Sequence, residues 1–334
     1  MSDPILAPGP RLEPLEIPGR EPVPVTLLTG FLGAGKTTLL NRILSGDHGL
    51  RVGVLVNDFG AVNIDASLIE GVEENTISLA NGCVCCEVRD DLMVSLEQLL
   101  RREESIDYVV IESSGVADPE GIVATIADPK YERLLRLDTV TCIVDADTFM
   151  SEDTPAEVAW LKYRQIGYAD LVILNKVDLV GYDYADNLKE RILGVAHGVR
   201  IVNAIEADVP VEILLAVGRH DASRLSIDGA AARHPRHGPG FDAFHYQSTV
   251  PMSLSALHRT IRDLPATIYR AKGFVLTSQD PTRRAVLQAV GRRSSITFDG
   301  SWDGQPPQTD IVVIGAERAL DSDELRAAFA SCED

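Results

Sequence analysis

The chain has 334 residues, 45% of them hydrophobic and 24% charged, which is typical of a soluble globular protein with room for two domains. Its formal net charge of −19 argues against nucleic acid or an anionic membrane as partner, because phosphate groups attract basic surfaces. No run of about 20 apolar residues is present, so we expect no segment that spans a membrane.

The N-terminus and the cysteines together predict a cytoplasmic location. No basic stretch followed by an apolar core marks a signal peptide. Three of the five cysteines are packed into residues 83–86, unlike the disulfide framework of a secreted protein. Residues 1–22 contain six prolines among polar residues, so we predict a disordered or extended arm there.

A phosphate-binding loop follows this arm. An apolar run at residues 23–28 precedes G-x-x-x-x-G-K-T at residues 30–37, and a helical pattern begins directly afterwards. The glycines allow backbone N–H groups to turn towards an anion, and the helix N-terminus adds its positive end. We expect Lys36 to reach the β- and γ-phosphates and the Thr37 hydroxyl to ligate Mg²⁺. The candidate nucleotide contacts of this loop are Gly30, Gly33, Ala34, Gly35, Lys36, Thr37 and Thr38.

Two later apolar runs predict buried parallel strands that lead into a carboxylate. The first precedes Asp58, and the second precedes Glu112, with Gly115 shortly after it. Ligands of open α/β sheets bind at the carboxyl ends of the strands, so both acids are candidates for the Mg²⁺ shell. The Gly115 N–H is a candidate sensor of the γ-phosphate. Lys36, Asp58, Glu112 and Gly115 form the predicted catalytic set.

A cysteine loop lies between these two strands, before a predicted amphipathic helix over residues 87–104. Cys83, Cys85 and Cys86 place three thiols within four residues, and Gly82 permits a tight turn. Thiolates suit Zn²⁺, and three protein ligands leave a fourth position open, as a carrier requires. A redox pair or three buried small side chains are the alternatives, and we favour metal binding because such clustering is uncommon.

A guanine-reading sequence, N-K-x-D at residues 175–178, follows another buried apolar run. The Asp178 carboxylate would accept hydrogen bonds from guanine N1–H and its exocyclic amine, whereas adenine would leave that carboxylate unpaired. The stem of Lys176 would lie along the purine face. Asn175, Lys176, Asp178 and Asn203 complete the candidate nucleotide contacts.

The sequence predicts an α/β fold of the phosphate-loop NTPase type, with a mostly parallel sheet and helices on both faces. Helices are predicted near residues 155–168, 184–196 and 210–218, and a strand at 200–203. Glycine and proline mark residues 219–240 as a linker. A smaller α+β pattern follows. The predicted boundaries are 1–22 for the arm, 23–218 for the GTPase domain, 219–240 for the linker and 241–334 for the C-terminal domain.

Over residues 23–334 the chain resembles the CobW family of GTPases, relatives of the urease and hydrogenase metal-insertion GTPases. The resemblance rests on the phosphate loop, on segments 57–60 and 112–119, on the C-x-C-C loop, on N-K-x-D and on R-A-K-G at residues 270–273. It implies slow hydrolysis of GTP to GDP with Mg²⁺ and delivery of Zn²⁺, or alternatively Co²⁺, to a client metalloprotein. Whether the chain forms a homodimer is left open.

Two departures from the family pattern concern the cargo metal. Many members read N-E-F-G-E where this chain has Asp58 and Ala61 at the acid positions, so the segment is poorer in oxygen ligands. A histidine-rich linker is nearly absent, with only His234 and His237 in the corresponding stretch.

Two other functions compete with a metal carrier. One is a GTP-dependent activator of a single metalloenzyme, of the cobalamin-synthesis or nitrile hydratase type, in which the cysteines are structural. The other is a small-molecule kinase, which shares the phosphate loop but predicts no preference for guanine. The N-K-x-D sequence argues against the kinase, and turnover with ATP in place of GTP separates it from the others.

Overall fold

The computed structural model describes residues 22–46, 48–57, 76–79, 87–101, 106–151, 154–215, 241–290, 293–302, 306–316, 318 and 320–334. Predictions for the N-terminal arm, Asp58, the cysteine loop and the linker lie outside these residues. None of the described helices combines the length and the hydropathy that crossing a bilayer requires.

The N-terminal part is built on a seven-stranded sheet in which every described pair of neighbours is parallel. Its strands are β1 Val23–Thr29, β2 Val52–Asn57, β3 Thr76–Leu79, β4 Tyr108–Glu112, β5 Leu135–Asp145, β6 Leu171–Asn175 and β7 Arg200–Asn203. Their order is β3-β2-β4-β1-β5-β6-β7. The central strands β1, β4 and β6 are buried along their whole length, as strands covered on both faces must be. The predicted parallel α/β sheet is confirmed.

Helices cover both faces of this sheet. They are α1 Lys36–Ser45, α2 Glu87–Leu100, α3 Glu120–Ile126, α4 Ala156–Tyr168, α5 Tyr182–Val195 and the short α6 Val211–Leu214. Because side chains alternate along a strand, neighbouring residues of β5 pack on opposite sides. Ile143 packs in one cluster with α1 and α6, whereas Cys142 and Val144 pack with α4 and α5 on the other face.

The C-terminal part is a five-stranded antiparallel sheet with two helices. Its strands are β8 Phe241–Ser248, β9 Ile268–Val275, β10 Arg283–Val290, β11 Arg293–Ser301 and β12 Thr309–Ala316, and its helices are α7 Leu254–Arg262 and α8 Ser322–Ala330. The strand order is β11-β10-β9-β12-β8. One face packs against α7 and α8 in a separate core. The other contributes Tyr269, Val290, Val312 and Ile314 to the cluster that contains α1.

The sequence located most of these elements and missed or misjudged a few. The short edge strand β3 was not predicted. An apolar run at residues 140–145 predicts a strand, and β5 includes this run but begins earlier, at Leu135. The predicted helix over residues 210–218 is a four-residue turn of helix, Val211–Leu214, with Leu215 already extended. A last helix is predicted over about residues 322–330, and α8 has these bounds.

A buried ion pair joins the two sheets. Arg270 of β9 is 1% exposed, and its Nη2 donates to Asp138 Oδ2 of β5 at 2.9 Å while its Nη1 donates to the Ile213 carbonyl at 3.1 Å. The Tyr108 hydroxyl donates to the same carboxylate oxygen at 2.6 Å. Burial opposes ionisation of Asp138, but the guanidiniums of Arg270 and Arg136 together hold its pKa below the usual value. The pair is therefore charged and fully enclosed.

We expect Arg270→Met to lower the free energy of unfolding by about 3–5 kcal/mol, because it leaves the Asp138 carboxylate buried without its main counter-ion. Denaturant unfolding of the full chain measures this. The matched control is Arg51→Met, which breaks the surface pair between Arg51 and Asp107 and should cost no more than about 1 kcal/mol. Equal losses in the two variants would contradict a special role for the buried pair.

A buried lysine next to this pair makes stability depend on pH. Lys272 is 5% exposed, and burial, together with the positive charge of Arg270, lowers its pKa to about 7, although Glu212 and Asp138 partly offset this. In the unfolded chain a lysine titrates near pH 10.4. Between these two values the unfolded state binds more protons, so the free energy of unfolding should rise as the pH rises.

Denaturant unfolding between pH 7.5 and 9.5 tests this, with an expected gain of up to about 1.4 kcal/mol per pH unit from Lys272. Lys272→Met should flatten the profile, because the titrating group is gone. Lys130→Met, at a side chain that is 59% exposed, should leave the slope unchanged. A profile of the same slope in Lys272→Met and wild type would show that this lysine is not responsible.

Candidate functional site

The phosphate loop connects β1 to α1 at the carboxyl edge of the parallel sheet. Gly30, Gly33 and Gly35 have φ angles of 137°, 73° and 109°, a region that disfavours side chains. A Cβ atom on Gly30 would lie 2.2 Å from the Ile143 carbonyl oxygen, and one on Gly35 would lie 2.6 Å from Asn175 Nδ2. Both positions therefore require glycine because of close neighbours as well as backbone conformation.

Three predicted groups meet at the start of α1. Lys36 is buried, and its Nζ donates to the Phe31 carbonyl at 3.3 Å across the loop. The Thr37 hydroxyl donates to Glu112 Oε1 at 3.1 Å, and the Glu112 side chain is almost fully buried at the end of β4. A hydroxyl and a carboxylate are hard oxygen donors of the kind that Mg²⁺ prefers. The donor set thus fits the predicted metal, and Thr38 lies exposed one residue further along α1.

The Gly115 turn is held between the phosphate loop and α4. A Cβ atom on Gly115 would lie 2.6 Å from Leu32 Cδ2 and 2.8 Å from Leu32 N, so the turn lies against the loop. Gln165, 1% exposed on α4, donates from Nε2 to the carbonyls of Gly115 and Ala117 at 3.2 and 3.1 Å. No role of Gln165 was predicted from the sequence. The one feature of the sequence that could have indicated Gln165 is that it is a polar residue beside Ile166 on the buried face of a helix.

A second contact from α4 holds the residues after this turn. Arg164 donates two hydrogen bonds to Asp118 Oδ2, at 3.0 and 2.7 Å, and also bonds Glu120 at the start of α3. These bonds raise the pKa of Arg164, so it stays charged. Gln165 and Arg164 together fix the path from Gly115 to α3.

Among the N-K-x-D residues, Asn175 and Lys176 hydrogen-bond within the protein, whereas Asp178 is exposed. Asn175 uses both ends of its amide within the protein, donating to the Ala34 carbonyl at 2.9 Å and accepting from the Ala207 N–H at 2.8 Å. Lys176, with a φ of 62°, donates from Nζ to Asp145 Oδ2 at 2.7 Å. Asp178 is exposed, so its carboxylate is available to a base.

Asn175 therefore ties the phosphate loop to the segment after β7. Asp145, at the end of β5, is a further member of this site that the sequence did not single out. Asn203 ends β7, and among the described residues its buried Oδ1 accepts no hydrogen bond.

The described residues do not include Asp58, Cys83, Cys85 or Cys86, but they do include the strands and the helix on either side of them. β2 ends one residue before Asp58, β3 ends at Leu79, and α2 begins at Glu87. The register aligns Leu28, Glu112, Val56 and Ser78 in one row across four strands. Three strand spacings of about 4.8 Å put the end of β3 about 14 Å from the end of β1.

The two remaining cysteines, Cys142 and Cys332, are buried. Burial raises the pKa of the Cys142 thiol to about 12, so it stays protonated in the centre of β5. Cys332 lies beside Thr260, with 3.2 Å between Sγ and Oγ1. The described residues contain no group of three or more His, Cys, Asp or Glu side chains arranged to hold a metal ion.

Comparison with known proteins gives two family matches and several full-length relatives. Residues 24–203 match the model of the CobW/HypB/UreG nucleotide-binding domain, and residues 241–333 match that of the cobalamin synthesis protein CobW C-terminal domain. The zinc chaperone YjiA of Escherichia coli is 33% identical, with 92% of this chain and 98% of that protein covered. The zinc chaperone CobW of Pseudomonas aeruginosa is 32% identical, with 92% of each covered.

Two further matches come from a eukaryotic relative and a solved structure. Zinc-regulated GTPase metalloprotein activator 1 of Dictyostelium discoideum is 30% identical over 87% of this chain and 70% of that protein. The crystal structure of Zn(II)-bound YjiA GTPase from E. coli covers 94% of this chain and 100% of that one, with 28% identity and a TM-score of 0.45. Because the two family models together span both sheets of the fold, the chain belongs to the CobW family.

Proposed function

We propose that the protein is a GTP-hydrolysing metallochaperone that binds Zn²⁺ at its C-x-C-C loop and delivers it to a client metalloprotein in the cytoplasm. The observation that supports this most is the shared carboxyl edge. The strand that leads into the phosphate loop and the strand that leads into the cysteine segment lie in one register row. Relatives with nearly the same length are zinc chaperones. The scheme does not require a homodimer.

Each predicted side chain at the nucleotide site that the structure describes has a role in binding or hydrolysing GTP. Lys36 neutralises charge on the β- and γ-phosphates, and the Thr37 hydroxyl and Glu112 carboxylate hold Mg²⁺. Mg²⁺ bound with GTP stabilises the charge that develops on the phosphate oxygens. Asp178 accepts the two N–H donors of guanine, and the Asp145 carboxylate positions Lys176 beside the purine.

The metal half of the proposal links the γ-phosphate to the thiolates. Asp58 follows β2 and the cysteine segment follows β3, which is the neighbour of β2 at the sheet edge. GTP would order the segments at Asp58 and Gly115, and loss of the γ-phosphate would release them. The coordination of Zn²⁺ by Cys83, Cys85 and Cys86 would then change, so that a client could bind the ion.

A second function is favoured by a relative that is a GTPase metalloprotein activator. In that scheme GTP drives remodelling of one target metalloenzyme, and the cysteines hold a permanent structural metal. The two schemes differ in metal exchange. A carrier releases Zn²⁺ to a competing chelator faster in one nucleotide state, whereas a structural site retains one ion in both.

Substituting Cys83, Cys85 and Cys86 together by Ser should weaken Zn²⁺ binding at least 100-fold, because hydroxyls replace thiolates. Competition with a chromogenic chelator measures the affinity with GTP analogue and with GDP. Wild type should differ between the two nucleotides, and the triple variant should not. Cys142→Ala is the matched control and should bind Zn²⁺ normally, because this thiol is buried and protonated. Unchanged Zn²⁺ affinity in the triple variant would overturn the carrier proposal.

Gln165→Leu should lower kcat for GTP hydrolysis about 10-fold and change KM little. The variant keeps the volume but removes both hydrogen bonds to the Gly115 turn, while the groups that bind the nucleotide are untouched. Steady-state GTPase kinetics measure the two constants. Leu193→Gln is a surface control that should leave both constants unchanged. An increase in KM with normal kcat would show that Gln165 supports nucleotide binding and not positioning of the turn.

A further inference from the structure

A tight turn at residues 205–208 lies beside the N-K-x-D sequence and has an unfavourable backbone conformation. The Asp208 N–H donates to the Ile205 carbonyl at 3.0 Å, which closes the turn. The two central residues, Glu206 and Ala207, have φ angles of 51° and 56°. Turns with two positive φ angles normally carry Gly, Asn or Asp, because other side chains are disfavoured in the left-handed region. Contacts from outside the turn must therefore stabilise it.

Arg42 of α1 provides two of these contacts. Its Nε donates to the Glu206 carbonyl at 2.9 Å, and its Nη1 donates to Asp208 Oδ1 at 3.1 Å. One bond thus reaches the backbone of a left-handed residue, and the other reaches the carboxylate at the end of the turn. The Glu206 side chain adds little, since it is 83% exposed and its carboxylate lies 3.9 Å from Nη2. The backbone bond and the Asp208 pair are what join α1 to the turn.

The same turn supports the N-K-x-D sequence. The Ala207 N–H donates to Asn175 Oδ1 at 2.8 Å, and Asn175 Nδ2 donates to the Ala34 carbonyl of the phosphate loop at 2.9 Å. Ala34 lies just before α1, so these contacts form a closed ring from Arg42 through the turn and Asn175 back to the helix that carries Arg42. The ring fixes the position of the N-K-x-D sequence, which includes Asp178, relative to the phosphate loop.

We propose that Arg42 is a positioning residue for guanine. It keeps the turn in its left-handed conformation and thereby sets Asp178 at the distance from the phosphate loop that a guanine nucleotide requires. This inference rests on the proposed role of Asp178 in reading the base. Without the guanidinium the turn relaxes towards negative φ angles, and the Ala207 N–H leaves Asn175. The amide that spaces the phosphate loop from the N-K-x-D sequence is then bonded at one end only.

The test compares binding of GDP and inosine diphosphate to the full chain in Mg²⁺, followed by calorimetry. Inosine diphosphate lacks the exocyclic amine that Asp178 would read, so the ratio of the two affinities reports on that contact. We expect the wild type to favour GDP about 10-fold or more, and Arg42→Met to favour it at most about threefold. Arg42→Met should weaken GDP binding about 10-fold and leave kcat for GTP hydrolysis within about twofold. A loss of stability alone would weaken both nucleotides equally.

Two further variants and a control make the result specific. Glu206→Gly relieves the left-handed strain and keeps the carbonyl that Arg42 uses, so adding it to Arg42→Met should return GDP affinity to within about threefold of wild type. Asp208→Ala removes the carboxylate partner and should lower the ratio in the same direction, and it remains informative if Arg42→Met fails to fold. Arg51→Met breaks a surface ion pair before β2 and should bind both nucleotides as wild type does.

The outcomes separate this inference from the base-reading role on which it rests. Equal binding of GDP and inosine diphosphate by the wild type would overturn the role of Asp178 and this inference with it. Discrimination in the wild type that persists in Arg42→Met and Asp208→Ala would overturn the inference alone. Equal weakening of both nucleotides, or no recovery with Glu206→Gly, would show that Arg42 only stabilises the fold.

Discussion

The parallel register of the seven-stranded sheet is the constraint on which the rest of the site depends. Because all seven strands run the same way, every loop that follows a strand emerges at one edge. This brings the Thr37 hydroxyl within 3.1 Å of Glu112, a residue 75 positions later in the chain. The same edge receives the ends of β2 and β3, from which the segments with Asp58 and the cysteines continue. The phosphate loop and the segments to which we assign metal binding therefore follow strands that end at the same edge of the sheet.

The segment after β7 connects the base-reading end of the site to the C-terminal sheet. Ala207 donates to Asn175, and a few residues later the carbonyls of Leu214 and Ile213 accept from Thr26 and Arg270. One short stretch is thus bonded to the phosphate-loop anchor, to β1 and to the C-terminal domain. A displacement at the nucleotide would have a continuous bonded route to the second sheet.

Patterns within short segments of the sequence predicted the strands and loops that interactions within those segments determine. Apolar runs located six of the seven parallel strands, and the phosphate loop followed from its glycines and its context. β3 was not among them, and its pairing with β2 is visible only in the folded sheet. Contacts between residues far apart in the sequence could not be predicted either. Arg270 and Asp138 are 132 residues apart, and the Gln165 bonds to the Gly115 turn depend on how α4 packs. Only the folded chain reveals that Asn175 bonds to the phosphate loop while Asp178 is exposed.

The C-terminal sheet packs against the GTPase domain as well as on its own core. It has a core of its own beneath α7 and α8, but its opposite face completes the hydrophobic cluster that contains α1. A parallel sheet must be covered on both faces, and here α1 and α6 cover one face only together with residues such as Val312 and Ile314. The charge on Asp138 is also neutralised from β9. Separating the two parts would therefore expose apolar surface and leave a buried carboxylate without its counter-ion.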